Sequence, residues 1–242
     1  MSGALGLAAA LPAQDWVEGS SQPFDRITIS APFEDIVDVV NVSEGDRVAK
    51  GEVLGELRLT RARLEVARLD GMVRKAEFDY EATQELFRQR IESQELLNER
   101  KAELERLRIE REIAQNELEQ RIIRAPIDGV VVFRLKDPGE TVGRVEPLFE
   151  LIDASRLKLT FFLPSSYLRV LEPGMTAPVQ FPEVTGERTY EAELVFIDPQ
   201  VDARSGLFRA RFVFANTEAK IPPGVRVRCR LPVPETLSVT AP

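Results

Sequence analysis

The clearest pattern of apolar positions runs from Arg58 to Arg124. Apolar or small residues recur there at alternating steps of four and three: Ala62, Val66, Leu69, Val73, Ala76, Tyr80, Thr83 and Phe87. A second series follows, Leu97, Arg100, Leu104, Leu107, Arg111, Ala114 and Leu118, with two arginines in the stripe. Such steps put side chains on one face of an α-helix and, when sustained, make a coiled-coil seam. The two series do not share a frame, and the break lies at Arg90-Ile91-Glu92-Ser93. Ser93 with Glu95 behind it has the form of a helix N-cap with an acidic first turn. The segment has no proline, one glycine (Gly71), and 15 basic against 15 acidic residues. Two antiparallel arms of about 30 residues, each ~45 Å long, are predicted; one continuous helix would hold its flanks ~100 Å apart.

Those flanks are copies of each other. Ala31-Pro32-Phe33-Glu34-Asp35-Ile36-Val37 lies over Ala125-Pro126-Ile127-Asp128-Gly129-Val130-Val131, and the register continues without a gap. Gly45 falls on Gly139, Asp46 on Glu140, Val48 on Val142, Leu54 on Leu148, and Glu56-Leu57 on Glu150-Leu151. Each copy reads as short strands punctuated by turns, with too few strands to bury a face alone. Two copies packed together bury both faces.

After Asp153 the pattern changes again. Leu157 to Leu163, Thr176 to Phe181, Tyr190 to Ile197, Leu207 to Phe214 and Val225 to Leu231 are short strands separated by Gly, Pro and Asn, which predicts a small barrel or sandwich. Thr28 to Ser30 is a further candidate strand for it. The expected fold is mainly β with an α-helical coiled-coil hairpin. Its expected divisions are 1–23, an export-signal remnant or disordered tail; 24–57, a first barrel strand and the first half of the repeat domain; 58–124, the hairpin; 125–153, the second half; 154–233, the β-barrel; and 234–242, a tail.

Composition removes several chemistries. The chain has no histidine, the usual general base and metal ligand, and one cysteine, Cys229, so no disulfide or thiolate cluster forms within it. Cys229 alternates with arginines and reads as an inward strand residue. A net charge of −8 with no basic run argues against nucleic acid as a partner. Leu5 to Leu11 is apolar but too short to span a bilayer, and no basic residue precedes it.

The ordered pieces resemble the membrane fusion protein family, the HlyD-like periplasmic adaptors of tripartite efflux and secretion systems. The likeness covers Ile27 to Leu231. It rests on two split halves of a lipoyl/biotinyl motif, Val39 to Leu57 and Ala125 to Ile152, on either side of the hairpin. Arg124-Ala125-Pro126-Ile127-Asp128-Gly129-Val130-Val131 is similar to the signature with which such adaptors return to the lipoyl-like domain. Pro173-Gly174 and Pro222-Pro223-Gly224-Val225 look like the family's β-barrel domain. The resemblance implies a lipoyl-like (barrel-sandwich hybrid) domain plus a small β-barrel. It implies a non-enzymatic adaptor in the periplasm, associated with the inner membrane, that bridges an inner-membrane transporter and an outer-membrane duct as a homo-oligomeric ring or funnel. No cofactor and no metal are expected.

Two readings compete with that one. A true carrier of biotin or lipoate presents its lysine on the turn joining the two halves, where this chain has the hairpin. Lys50 and Lys136 sit elsewhere, at non-equivalent places. The other is a structural coiled-coil protein without an export role. On the adaptor reading the docking residues are at the hairpin tip: Leu86, Phe87, Arg88, Arg90, Ile91, Ser93 and Leu97, with Leu96 also expected to be exposed. Relatives tied to resistance-type pumps often carry an Arg, Leu and Ser set at the tip; Leu86 and Ser93 match, and Ala82 stands at the arginine position.

Overall fold

The computed structural model describes residues 14–217 and 220–234. The elements are, in order, β1 (Gln14–Ser30), β2 (Asp35–Val40), β3 (Arg47–Val48), β4 (Val53–Leu57), α1 (Thr60–Arg88), α2 (Gln94–Glu119), β5 (Ile122–Arg124), β6 (Gly129–Arg134), β7 (Thr141–Val142), β8 (Pro147–Pro164), β9 (Thr176–Gln180), β10 (Thr189–Ile197), β11 (Leu207–Ala215) and β12 (Arg226–Pro232). The chain divides into two compact units. One is Ile27–Leu151; the other joins the described residues up to Arg26 with those from Ile152 onward.

In the first unit the sequence repeat becomes a two-fold exchange of strands. β2 of the first copy pairs with β7 of the second, Asp35 opposite Val142. The equivalent strands, β3 and β6, pair Val48 with Gly129. The turns repeat the exchange bond for bond. Gly45 N–H donates to Val131 O, and its counterpart Gly139 N–H donates to Val37 O, both at 2.8 Å. Gly51 N–H donates to Ala125 O, and Val145 N–H donates to Ala31 O. Asp46 and Glu52 accept from the backbone of Ser43 and Ala49, while Glu140 and Glu146 accept from Asp137 and Gly143. Each copy supplies what the other lacks, so neither buries its face alone. Val37, Leu54, Leu57, Val131, Leu148 and Leu151 lie in the shared core.

The two long helices pack as an antiparallel pair. In α1, Leu69, Val73, Ala76 and Thr83 are buried; in α2, Leu97, Leu104, Leu107 and Ala114 are. Thr83 is tolerated in the seam because its hydroxyl donates to Asp79 O at 2.7 Å, leaving no unpaired buried donor. Arg111, on the seam of α2, reaches past the apolar stripe toward Asp70, 3.8 Å away. Arg108 crosses to Glu77 at 2.9 Å. These two cross-links mark which levels of the arms stand side by side.

The second unit is a closed six-stranded barrel. Its order is β1-β12-β9-β10-β11-β8, and β8 pairs back to β1. β11 buries alternate residues, Phe208, Ala210, Phe212 and Phe214, as a strand with one wet face must. Phe161 meets Phe212 edge-on at 5.5 Å between ring centres. Cys229 points into this core, and burial pushes its thiol pKa up to about 12.

The beginning of the chain corrects one expectation. Residues 14–23, read above as the end of an export-signal remnant or disordered tail, are strand: Gln14 to Ser20 pair with β12 from Pro232 to Arg226. Residues 1–13 and 235–242 lie outside the described residues. Gly19 and Ser21 explain why this polar stretch closes the barrel. A Cβ on Gly19 would stand 2.5 Å from Thr160 O and from the Phe161 ring. Buried Ser21 donates its hydroxyl to Val225 O and accepts from Val225 N–H, each at 3.1 Å.

Candidate functional site

The hairpin tip is built by two helix ends. α1 stops in a Schellman motif: Arg90 N–H donates to Phe87 O and Ile91 N–H donates to Leu86 O, both at 2.9 Å. The motif requires a left-handed residue, and Arg90 takes φ 59. Glycine is the usual occupant, since a side chain at positive φ costs about 1 kcal/mol. Arg90 therefore sits at the tip at a local cost in stability. α2 starts at once from the Ser93 cap, whose hydroxyl accepts from Leu96 N–H at 3.2 Å.

The two ends display the expected residues unequally. Ile91 is 64% exposed, and Leu86, Arg88, Arg90 and Ser93 are also exposed. Phe87 and Leu96 are half-buried. Leu97 is buried, contrary to the expectation that it is displayed, because it stands at the first seam position of α2 and closes the arms against each other. The structure thus brings Leu86, Arg88, Arg90 and Ile91 together at one end and withdraws Leu97 into support. Arg88 leans on Glu85 at 3.5 Å, an exposed pair of little energetic consequence. Nothing in the sequence marked Arg90 as left-handed, because the glycine that signals such a cap is absent.

The lysines bear on the carrier reading. Lys136 is held by Glu146 Oε1 at 2.6 Å, and this bond raises its pKa above the usual lysine value. Lys50 lies in the tight turn before β4, its backbone N–H bound by Asp128 at 2.8 Å. Neither occupies the place where the two halves join; α1 and α2 do.

Comparison with known proteins agrees with this architecture. Residues 159–234 match the CusB-like β-barrel domain family. The chain is 24% identical over 234 residues to the multidrug resistance protein MdtA of Cronobacter turicensis, covering 88% of this chain and 56% of that protein. The chain spans little more than half the length of the curated relatives it matches. A MacA–MexA chimera carrying the Pseudomonas aeruginosa MexA α-hairpin superposes with a TM-score of 0.81 at 16% identity, covering 93% of this chain and 83% of the chimera. The membrane fusion protein Spr0693 of Streptococcus pneumoniae superposes with a TM-score of 0.70 at 13% identity, covering 90% of this chain and 98% of that one. The split lipoyl-like fold, the hairpin and the closed barrel are the fold of the membrane fusion proteins, and within it this chain carries a CusB-like β-barrel domain.

Proposed function

We propose that this protein is a non-enzymatic periplasmic adaptor of an efflux or secretion system, with partners in both membranes. Its lipoyl-like unit carries the hairpin, and the tip docks on the end of an outer-membrane duct. The inner-membrane transporter and further copies of the chain are its other partners, the copies forming a ring or funnel around the substrate path. Among the described residues no helix is long and apolar enough to cross a membrane.

One observation carries the proposal: the tip exposes Ile91 and holds Arg90 in a conformation that costs stability. An exposed aliphatic group flanked by arginines is what a docking surface on another helix end presents. Leu86, Phe87, Arg88, Arg90, Ile91 and Ser93 form that surface, and Leu97 supports it from within the seam. The test is in vivo crosslinking from a photoreactive residue at Ile91, followed by capture from membranes. Capture of an outer-membrane duct is expected. Capture of this protein alone would overturn docking at the tip.

A further inference from the structure

One end of the barrel carries an aromatic floor. The inward residues of β10 run Tyr190, Ala192, Leu194, and those of β11 run Phe208, Ala210, Phe212, Phe214. The strands are antiparallel, so Tyr190 and Phe214 are the last inward rings at the same end. Their centres are 5.3 Å apart, and Phe181 stands against both, 6.0 Å from Tyr190 and 5.2 Å from Phe214. Phe181 and Phe214 are buried, whereas Tyr190 is half-buried. Over this floor lies a cavity of about 270 Å³, with Arg188, Tyr190, Phe214, Thr217, Lys220 and Ile221 in its wall.

The charge in that wall has one sign. The Arg188 guanidinium lies over the Tyr190 ring, 5.3 Å from its centre, and makes no ion pair or side-chain hydrogen bond among the described residues. The Tyr190 hydroxyl also has no hydrogen-bond partner among them. Lys220 brings a second positive charge, and no described residue of the wall is acidic. Two larger hollows carry both signs instead. In the one of about 660 Å³ at the foot of the hairpin, Glu34 and Glu117 share the wall with Arg121, which Asp35 holds at 3.5 Å. In the one of about 420 Å³ beside Trp16, Glu187 shares the wall with Arg230, which lies 4.6 Å from the Trp16 ring centre.

The rim is pinned where the chain leaves β11. Asn216 is 3% exposed, and its side chain makes three bonds: Nδ2 donates to Ala154 O at 2.8 Å and to Ile221 O at 2.9 Å, and Oδ1 accepts from Ile221 N–H at 3.2 Å. Its own N–H donates to Ser155 O at 2.8 Å. These bonds fix Ile221 against the floor and hold Thr217 at the edge of the cavity without using the groups that face into it. A site held in place before its ligand arrives loses less entropy on binding.

We infer that this end of the barrel is a binding site for a small aromatic carboxylate. The ring of the ligand lies against Tyr190 and Phe214, and its carboxylate faces Arg188 and Lys220, with the Tyr190 hydroxyl as a further donor. The class follows from the wall: an aromatic floor takes a flat apolar group, and a guanidinium beside a hydroxyl takes a carboxylate, which accepts two hydrogen bonds from the planar fork. A concave, largely apolar pocket with a few convergent polar groups is the usual form of a small-molecule site. The site belongs wholly to the barrel unit and stands whether or not the hairpin tip docks.

Titration of the isotope-labelled full chain with benzoate, followed by amide NMR shifts, tests it. Benzoate is expected to move the amides of Tyr190, Phe214 and Thr217 with a Kd of about 1 mM or tighter. Benzamide, of the same shape without the charge, should bind about tenfold more weakly, and cyclohexanecarboxylate, with the charge but no aromatic ring, about threefold more weakly. Arg188 is exposed, so Arg188→Gln keeps the fold; it should weaken benzoate about tenfold and leave benzamide unchanged. Tyr190→Phe keeps the floor and removes the hydroxyl, and should weaken benzoate about threefold. Absence of shifts at those three amides up to about 20 mM benzoate would overturn the site. Benzamide binding as tightly as benzoate, or benzoate binding unchanged in Arg188→Gln, would overturn carboxylate recognition, and equal binding of cyclohexanecarboxylate would overturn the aromatic class.

Discussion

The barrel and the hairpin use apolar residues in opposite ways. The barrel turns most of them inward: Phe161, Phe181, Phe208 and Phe212 are all but fully buried, Phe162 is the chief exception, and strand closure leaves no edge. The hairpin keeps a narrow seam of Leu, Val and Ala, and leaves Leu64, Phe78, Ile91, Ile109 and Ile113 in the open. Both are ordered elements with regular hydrogen bonding, so the difference is not one of folding quality. The barrel's apolar groups stabilise the barrel, whereas the hairpin's outward ones have no partner in their own chain.

Substitutions sharpen that contrast, beginning where the effect is greatest. Phe212→Ala empties the centre of the barrel and should cost about 3–5 kcal/mol, read as a lower midpoint in denaturant unfolding. Gly19→Val attacks the closure instead, forcing a side chain against Thr160 O and Phe161. A cost of about 1–3 kcal/mol is expected there, since an overpacked strand pair must move apart. Equal stability of this variant and the parent would show that β1 does not close the barrel.

Arg90 and Val145, the two non-glycine residues at positive φ among the described residues, form a matched pair. Relief of backbone strain should make both Arg90→Gly and Val145→Gly more stable, by about 1 kcal/mol each. Only Arg90→Gly should lose crosslinking from position 91. A loss in both would mean that the tip is not the site. The smallest effect is that of acid. Glu146 is held below the usual carboxylate range by the Gly143 N–H and then by Lys136. A depressed carboxylate stabilises the fold above its unfolded pKa, near 4.5, and the gain is lost as pH falls through the lower folded value. The thermal midpoint should therefore drop as pH is lowered below 4.5, and less so in Glu146→Gln.

Much of this was readable from residue spacing. Every position of the two predicted seams, Ala62 through Phe87 and Leu97 through Leu118, is buried or half-buried, because a sustained four-three step has one geometric outcome. The repeat register places Gly51 over Val145, and the hydrogen bonds of those two residues are counterparts. β1 was not readable before Thr28. Gly19, Ser20 and Ser21 have neither alternation nor β propensity, and what makes them strand is pairing with residues two hundred positions away. The conformation of Arg90 was hidden for a related reason: the helix ends dictate the cap, and the usual glycine signal is missing. Leu97 was misplaced because its seam position and its nearness to the tip gave conflicting indications, and packing against α1 prevailed.

The central claim, that the hairpin's outward apolar groups serve other molecules and not the fold, meets its most direct test in denaturant unfolding of the Phe78→Ser, Ile91→Ser double variant. The account predicts an unfolding free energy within about 0.5 kcal/mol of the parent at an unchanged slope, as for surface positions away from any core. A fall of about 3 kcal/mol or more, of the size expected for Phe212→Ala, would contradict it and return those side chains to the fold.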